Sequence, residues 1–423
     1  MNNPRLHRFA VLTAAATFLL LAAGGMVTSR GVGMAVPDWP NTYGYNMFFF
    51  PWSQWVGGVF YEHTHRLIAS GVGMLTGILA LWLYGTAARP FMRWTGLALC
   101  ILGILNEMVF PGRWADGVVA GAAGLILFGA GFVWPRCEPA GKRLRRLGLI
   151  AFFAVVLQGV LGGLRVVLFK DQLGIFHATL AQLFFALVCA LALFTSRWWQ
   201  ARSAGPDARQ RVPTRRVPAG VSGLLVATTV SILLQLIIGA TMRHQHAGLA
   251  IPDFPLAYGK LWPAADAESV ARYNERRIEV TAANPITAFQ IELQMAHRIV
   301  AALILAGAGV CAWRVRSARS IRSGDERGMD AQRRITVLVW CWLGLILAQA
   351  GLGAATVLTN KAADVATAHT LLGALSLALG TMLCILSFPS PDSARRASAS
   401  AEAAADARAG GPLDARAAAA YES

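Results

Sequence analysis

The sequence predicts an all-α polytopic membrane protein with two repeated four-helix bundles and a transmembrane hairpin inserted in the first, about ten spans in all. Three observations predict it. Hydrophobic residues make up 56% of the 423 residues and charged ones 14%, with a mean hydropathy of +0.50, a balance that no soluble globule of this length carries. Basic residues collect in alternate loops. The order of motifs in the first half of the chain recurs in the second.

A span needs roughly 20 mostly apolar residues. The first, 9–28, follows Arg5 and Arg8; its run is longer than that of a cleaved signal, and its repeat partner near 220–240 lies mid-chain, so it reads as a retained helix. The second, 67–87, is followed by Arg89 and Arg93. Segments 94–110 and 117–134 form the inserted hairpin; the first limb is short and carries Asn106 and Glu107 near its end, so a re-entrant limb is its other reading. Arg136, Lys142, Arg143, Arg145 and Arg146 lead into 147–168 and 177–196. The second half supplies 220–240, 297–313, 335–356 and 365–388. The resulting division is an N-terminal repeat over 1–196, a cytoplasmic linker over 197–219, a C-terminal repeat over 220–388 and a disordered cytoplasmic tail over 389–423, rich in Ala, Ser and Arg.

Charge placement sets the orientation. Residues 197–216 hold six arginines against one acid and 314–334 hold seven against Asp325, Glu326 and Asp330, whereas the short loops between carry one base and one acid each. By the positive-inside bias the basic loops and both termini are cytoplasmic, and the net charge of +16 is a topology signal that gives no reason to expect nucleic acid. The short leader lacks the character of an organellar transit peptide, which places the chain in a bacterial inner membrane. The six cysteines fall within spans or on the cytoplasmic side, where packing is their expected role.

Pro37-Asp38-Trp39-Pro40 with Tyr43-Gly44 is matched by Pro252-Asp253-Phe254-Pro255 with Tyr258-Gly259. Next come His65-Arg66 and His297-Arg298, each opening a span, then Gln158 with Leu161-Gly162 against Gln349 with Leu352-Gly353, leading to His177 and His369. Both halves begin on the cytoplasmic side, so the repeat is parallel, with its axis roughly along the membrane normal. The separation of His65 and His177 exceeds that of His297 and His369 by 40 residues, which the hairpin accounts for. The second outer loop gains a stretch from Asp266 to Val280 that reads as a short surface helix.

Two histidines at the outer ends of two helices in one four-helix set suit haem iron, which imidazole ligates from either face of the macrocycle while apolar helix faces enclose the porphyrin. His65, His177, His297 and His369 are the expected ligands, two per half. Arg66 and Arg298 are placed to pair with propionates, with snorkelling toward the headgroups as their other reading. Zinc or copper is the competing metal, weakened by the lack of a nearby Cys or paired carboxylate. Glu62 lies three residues before His65 and shares its helix face, whereas its counterpart, Gln294, cannot ionise. This asymmetry makes the first half the expected catalytic half, with Glu62 as its carboxylate; an interfacial acid paired with Arg66 is the alternative.

With Glu62-x-x-His65-Arg66, the outer-loop motifs, the Gln-x-x-Leu-Gly-Gly run at 158–163 and His177, His297 and His369 in this order, the chain resembles the haem A synthase family, bacterial type, over nearly all its length except the hairpin and tail. The resemblance implies oxidation of the C8 methyl of haem O to a formyl group by successive hydroxylations, giving haem A for terminal oxidases. It implies haem O as substrate between His65 and His177 and a haem b cofactor between His297 and His369. Expected partners are membrane lipid, haem O, a haem O synthase as its supplier and an electron acceptor such as quinone; a homo-oligomer is left open. The chain departs from members that carry an outer-loop cysteine pair, which it lacks. Two other classes fit a duplicated bundle with four ligands: a bis-histidine dihaem cytochrome that only passes electrons, and a haem transporter or chaperone that releases its haem unchanged.

Overall fold

The computed structural model describes residues 3–204, 220–276, 285–317 and 326–388. The expected tail over 389–423 and most of the 197–219 linker lie outside these. The long helices are α1 (Pro4–Ser29), α2 (Gly57–Tyr84), α3 (Ala88–Val109), α4 (Trp114–Val133), α5 (Lys142–Leu168), α6 (Asp171–Thr195), α8 (Val221–His244), α10 (Ala288–Ser317), α11 (Glu326–Leu358) and α12 (Ala363–Ser387). Two short ones, α7 (Arg197–Ala204) and α9 (Ala267–Glu275), complete the described set. Among the described residues nine apolar stretches are long enough to cross a membrane, and one of them, Gly57–Val109, is two helices broken at Gly85, so a helix stands at each of the ten expected spans. The chain is an all-α, multi-pass membrane protein.

The break between α2 and α3 has a local cause. Gly85 sits at φ +56, and a Cβ there would run into the backbone of Cys137 and Glu138, which no side chain tolerates. The hairpin that follows packs mainly on itself. A Cβ on Gly96 would stand 2.7 Å from the Gly124 carbonyl oxygen and one on Gly103 2.7 Å from that of Gly117, so α3 and α4 touch backbone to backbone, as helices in lipid do when dispersion replaces the hydrophobic effect. At 22 and 20 residues, α3 and α4 extend about 33 and 30 Å, long enough to cross the hydrocarbon core, which removes the need for a re-entrant limb. The outer turn of the hairpin is tied to the first outer loop by Asn46 Nδ2 donating to Asp116 Oδ1 at 2.8 Å and by Phe49 against Trp114.

The other eight long helices form two closed sets of four. In the first, α1 packs on α2 and α6, and α5 closes the set against both; in the second, α8 packs on α10 and α12, with α11 between them. The sets meet where α1 touches α12 and where α6 touches α12 and α8. Burial follows from this placement: about half of α6 and α12 is buried (56% and 50%), against 17–33% for the other stretches, whose large apolar side chains face lipid. Phe185, Cys189, Ala374 and Ala378 line the seam. The expected surface helix is α9, capped by the Asp266 carboxylate accepting from Ser269 N at 2.9 Å; Val280 lies outside the described residues.

Candidate haem sites

The two outer loops carry the same hydrogen bonds. Asp38 accepts from the backbone N–H groups of Tyr43 and Gly44, both at 2.8 Å, and Asp253 accepts from Tyr258 at 2.7 Å and Gly259 at 2.8 Å. Tyr43 and Tyr258 donate their hydroxyls to the carbonyls of Ala35 and Ala250. The left-handed turn each loop needs explains its Tyr-Gly pair, with φ +49 and +79 in the first and +52 and +75 in the second.

Each loop is held down by the helix that follows it. Arg66 donates to the carbonyls of Asp38 at 2.7 Å, Asn41 at 3.0 Å and Val36 at 2.9 Å, and to Glu62 Oε1 at 2.8 Å. Arg298 donates to the carbonyls of Asp253 at 2.7 Å and Leu256 at 2.9 Å. The structure thus places both arginines, read from sequence as propionate partners, as clasps for loop backbone. Glu62 is 4% exposed, and its second oxygen accepts from Val36 N at 2.9 Å. Gln294 makes the equivalent contact: its Oε1 accepts from Ile251 N at 2.7 Å and its Nε2 donates to Ile251 O at 3.2 Å. The two side chains do one mechanical job, but only the first half carries a charge there, as a buried pair with Arg66.

The four sequence-predicted histidines lie in the first third of α2, α6, α10 and α12, at the loop end of each helix set. His65 on α2 and His177 on α6 belong to the first set. His297 and His369 face each other in the second, ring centres 6.4 Å apart at 64°. Each ring lies against a glycine of the neighbouring helix. An ideal Cβ on Gly24 of α1 would be 2.9 Å from His65 Cε1, on Gly162 of α5 3.1 Å from His177 Cε1, on Gly239 of α8 3.3 Å from His297 Cε1, and on Gly353 of α11 3.1 Å from His369 Cε1. The sequence reading missed Gly24 and Gly239, although they stand at the same distance before the two outer-loop motifs.

Glutamines fix the helix ends beneath these rings. Gln158 Nε2 donates to His177 O at 3.0 Å and Gln235 Nε2 to His297 O at 2.9 Å. His369 Nδ1 stands 2.9 Å from the Gln349 carbonyl, which can only accept, so Nδ1 carries the proton and Nε2 keeps its lone pair for a metal. The Nδ1 atoms of His65, His177 and His297 are buried and have no hydrogen-bond partner. An iron between two trans imidazoles sets their ring centres about 6 to 6.5 Å apart, given metal–nitrogen bonds of about 2 Å and the ring radius, so the His297–His369 pair fits a haem. Among the described residues no three His, Cys, Asp or Glu gather as a tetrahedral metal would require.

A family profile described as cytochrome oxidase assembly protein, COX15-CtaA, matches residues 106–381 of the chain, well over half its length. The chain belongs to this family. Its relatives include proteins named heme A synthase from Shouchella clausii, 24% identical over 90% of the chain and 95% of the relative, and from Geobacillus kaustophilus, 24% identical over 85% of the chain and 84% of the relative. The heme A synthase of Symbiobacterium thermophilum is 34% identical over a shorter region, 34% of the chain and 47% of the relative. The profile spans His177, His297 and His369 and stops short of the first outer loop, Glu62 and His65, which the longer alignments reach by their coverage.

Two further histidines have settings the sequence did not reveal. His63 is fully buried, bonded through Nδ1 to Thr42 Oγ1 at 3.1 Å and boxed by Phe50 and Trp55. His244, at the end of α8, is packed against Gly174 of α6, where any Cβ would collide with its ring.

Proposed function

We propose that the protein is a haem A synthase that oxidises the C8 methyl of haem O to a formyl group by successive hydroxylations, for use in terminal oxidases. The observation that carries this reading is the pair of imidazoles 6.4 Å apart in the second helix set, with His65 and His177 at the matching places in the first, each against a glycine as their counterparts are. The relatives' names and the shared family add to it.

In this reading haem O is bound as substrate between His65 and His177, and haem b is the cofactor between His297 and His369. When bound, haem b supplies a redox-active iron. Glu62, three residues before His65 on α2, supplies the negative charge that Gln294 cannot; Arg66 on α2 and Arg298 on α10 hold the loops that cover the two sites. With water as the source of the oxygen atom, each hydroxylation replaces a C–H bond by a C–O bond and releases two protons and an electron pair, for which a membrane quinone is an acceptor of the right solubility; loss of water from the twice-hydroxylated carbon leaves the formyl group. The termini and basic loops lie on the cytoplasmic side of a bacterial inner membrane and the histidines toward the outer face, as the loop charges require.

The test is expression in a host that makes haem O but not haem A, followed by extraction and chromatography of the haems. Haem A or its hydroxylated precursor is the expected product; recovery of haem b alone would instead favour an electron carrier. The glycine behind His369 gives a second measurement. Valine at Gly353 would press on the ring from 3.1 Å, so Gly353→Val is expected to weaken or shift the six-coordinate haem signal of the purified protein, with Gly353→Ala doing so less. A wild-type spectrum in Gly353→Val would remove the glycine from the design of the site.

A further inference from the structure

Two partly buried arginines are neither loop clasps nor neighbours of the ligands in sequence. Arg165 on α5 lies three residues past Gly162, the glycine that packs on His177, and Arg243 on α8 lies four residues past Gly239, which packs on His297. Residues three or four apart share a helix face, so each arginine stands one turn outward of a ligand histidine. Their partners differ. Arg243 donates to Gly25 O at 2.9 Å, to Ser29 Oγ and to Thr370 Oγ1 at 3.3 Å, bracing α8 against α1 and α12.

The Arg165 side chain has no hydrogen bond or ion pair among the described residues, and it is partly buried. It feels His65, His177, His244 and Arg243, none of which can neutralise it. Of the acids it feels, Glu62 is committed to Arg66 and Val36 N, and Asp171 is beyond ion-pair distance. A Cβ on Gly33 would stand 3.2 Å from both terminal nitrogens, so the first outer loop passes over the guanidinium with no side chain between. A partly buried cation in the last turn of a membrane-spanning helix is stabilised when an anion meets it. The second helix set has threonine, Thr356, where the first has Arg165, so this unmet charge belongs to one site only.

We propose that Arg165 positions the substrate by pairing with a propionate carboxylate of the porphyrin held between His65 and His177. The proposal rests on the haem reading above. A planar guanidinium binds a carboxylate through two parallel N–H donors, fixing the rotation of the macrocycle about the iron axis as well as its affinity. That rotation decides which edge of an asymmetric porphyrin, and so which methyl, is held in the catalytic half.

The test uses the purified full chain titrated with ferric protohaem IX and with its dimethyl ester, which has the same ring but no carboxylates. Binding at the first site is the part of the imidazole-ligated signal lost in His65→Ala. The wild type should prefer the free acid by about 10- to 100-fold there, the range of one charge-assisted pair. Arg165→Gln should lose the preference by weakening the acid alone, while the second-site signal persists and reports an intact fold. A wild type without the preference, a preference that survives in Arg165→Gln, or equal weakening of both ligands would overturn the proposal. Should Arg165→Gln not fold, Arg165→Lys carries the test: it keeps the charge without the paired donors and should cut the preference severalfold, an uncut preference counting against Arg165. Absence of any His65-dependent binding of either ligand would overturn the haem reading itself, and the proposal with it.

Discussion

Glu62→Gln is expected to lower haem A formation about 100-fold or more, the usual contribution of a positioned acid or base, with protein yield and the second-half haem unchanged. The structure makes this substitution unusually clean. Gln294 shows that a glutamine at this position can hold the outer-loop backbone, accepting from Ile251 N at 2.7 Å as Glu62 accepts from Val36 N at 2.9 Å. In the first half the Val36 carbonyl is already met by Arg66, so the glutamine amide is not needed there and the loop keeps its clasp. What the variant removes is the charge and one of the two acceptor oxygens, the one that faces Arg66. It also leaves Arg66 without its carboxylate, but with three loop carbonyls still bound. The measurement is haem A per protein in the haem O-producing host. Full activity in Glu62→Gln would reduce Glu62 to the loop anchor that Gln294 is. Loss of both product and second-half haem would mean that the fold, and not the chemistry, had been disturbed.

The comparison of Glu62 with Gln294 also marks what could be read from the sequence. Hydropathy and the alternation of loop charge were sufficient for the ten long helices and their order, because both are properties of composition over 20-residue windows. The histidines were legible because each opens an apolar run at a matched place in the two halves. The clasps were not. An arginine beside a ligand histidine suggests a propionate, and only the folded Asp-x-x-x-x-Tyr-Gly loop shows that backbone carbonyls reach Arg66 and Arg298 first. The glycines behind the rings were invisible for a different reason: a glycine in an apolar helix carries no signal until the neighbouring helix is known. Gly24 and Gly239 could have been found by continuing the repeat alignment backward from the two outer loops, which would have paired them. Arg165 has no repeat partner and a local sequence that reads as membrane interior, so its setting depended on tertiary placement.

Removing His369 is expected to abolish the bis-imidazole haem signal of the second helix set, whereas removing His65 should leave that signal intact and abolish product. The second pair is the better organised of the two. His369 has its Nδ1 proton fixed by Gln349 O at 2.9 Å and its ring backed by Gly353, so Nε2 is presented with one tautomer and one orientation. His297 meets it across 6.4 Å, from a helix whose backbone at that residue is tied to Gln235. Such pre-orientation suits a resident cofactor, because a ligand set fixed before binding loses little freedom on loading and releases its iron slowly. Of the four ligand histidines only His369 has its Nδ1 paired, those of His65, His177 and His297 having no hydrogen-bond partner, so the first pair lacks the one fixed ring of the second. A substrate site must let its product go, and weaker orientation of the imidazoles serves that end. Absorption spectra of purified His65→Ala, His177→Ala, His297→Ala and His369→Ala test the assignment directly. If His65→Ala or His177→Ala removed the resident haem while His297→Ala and His369→Ala kept it, the roles of the two halves would have to be exchanged, and Glu62 would then sit beside the cofactor.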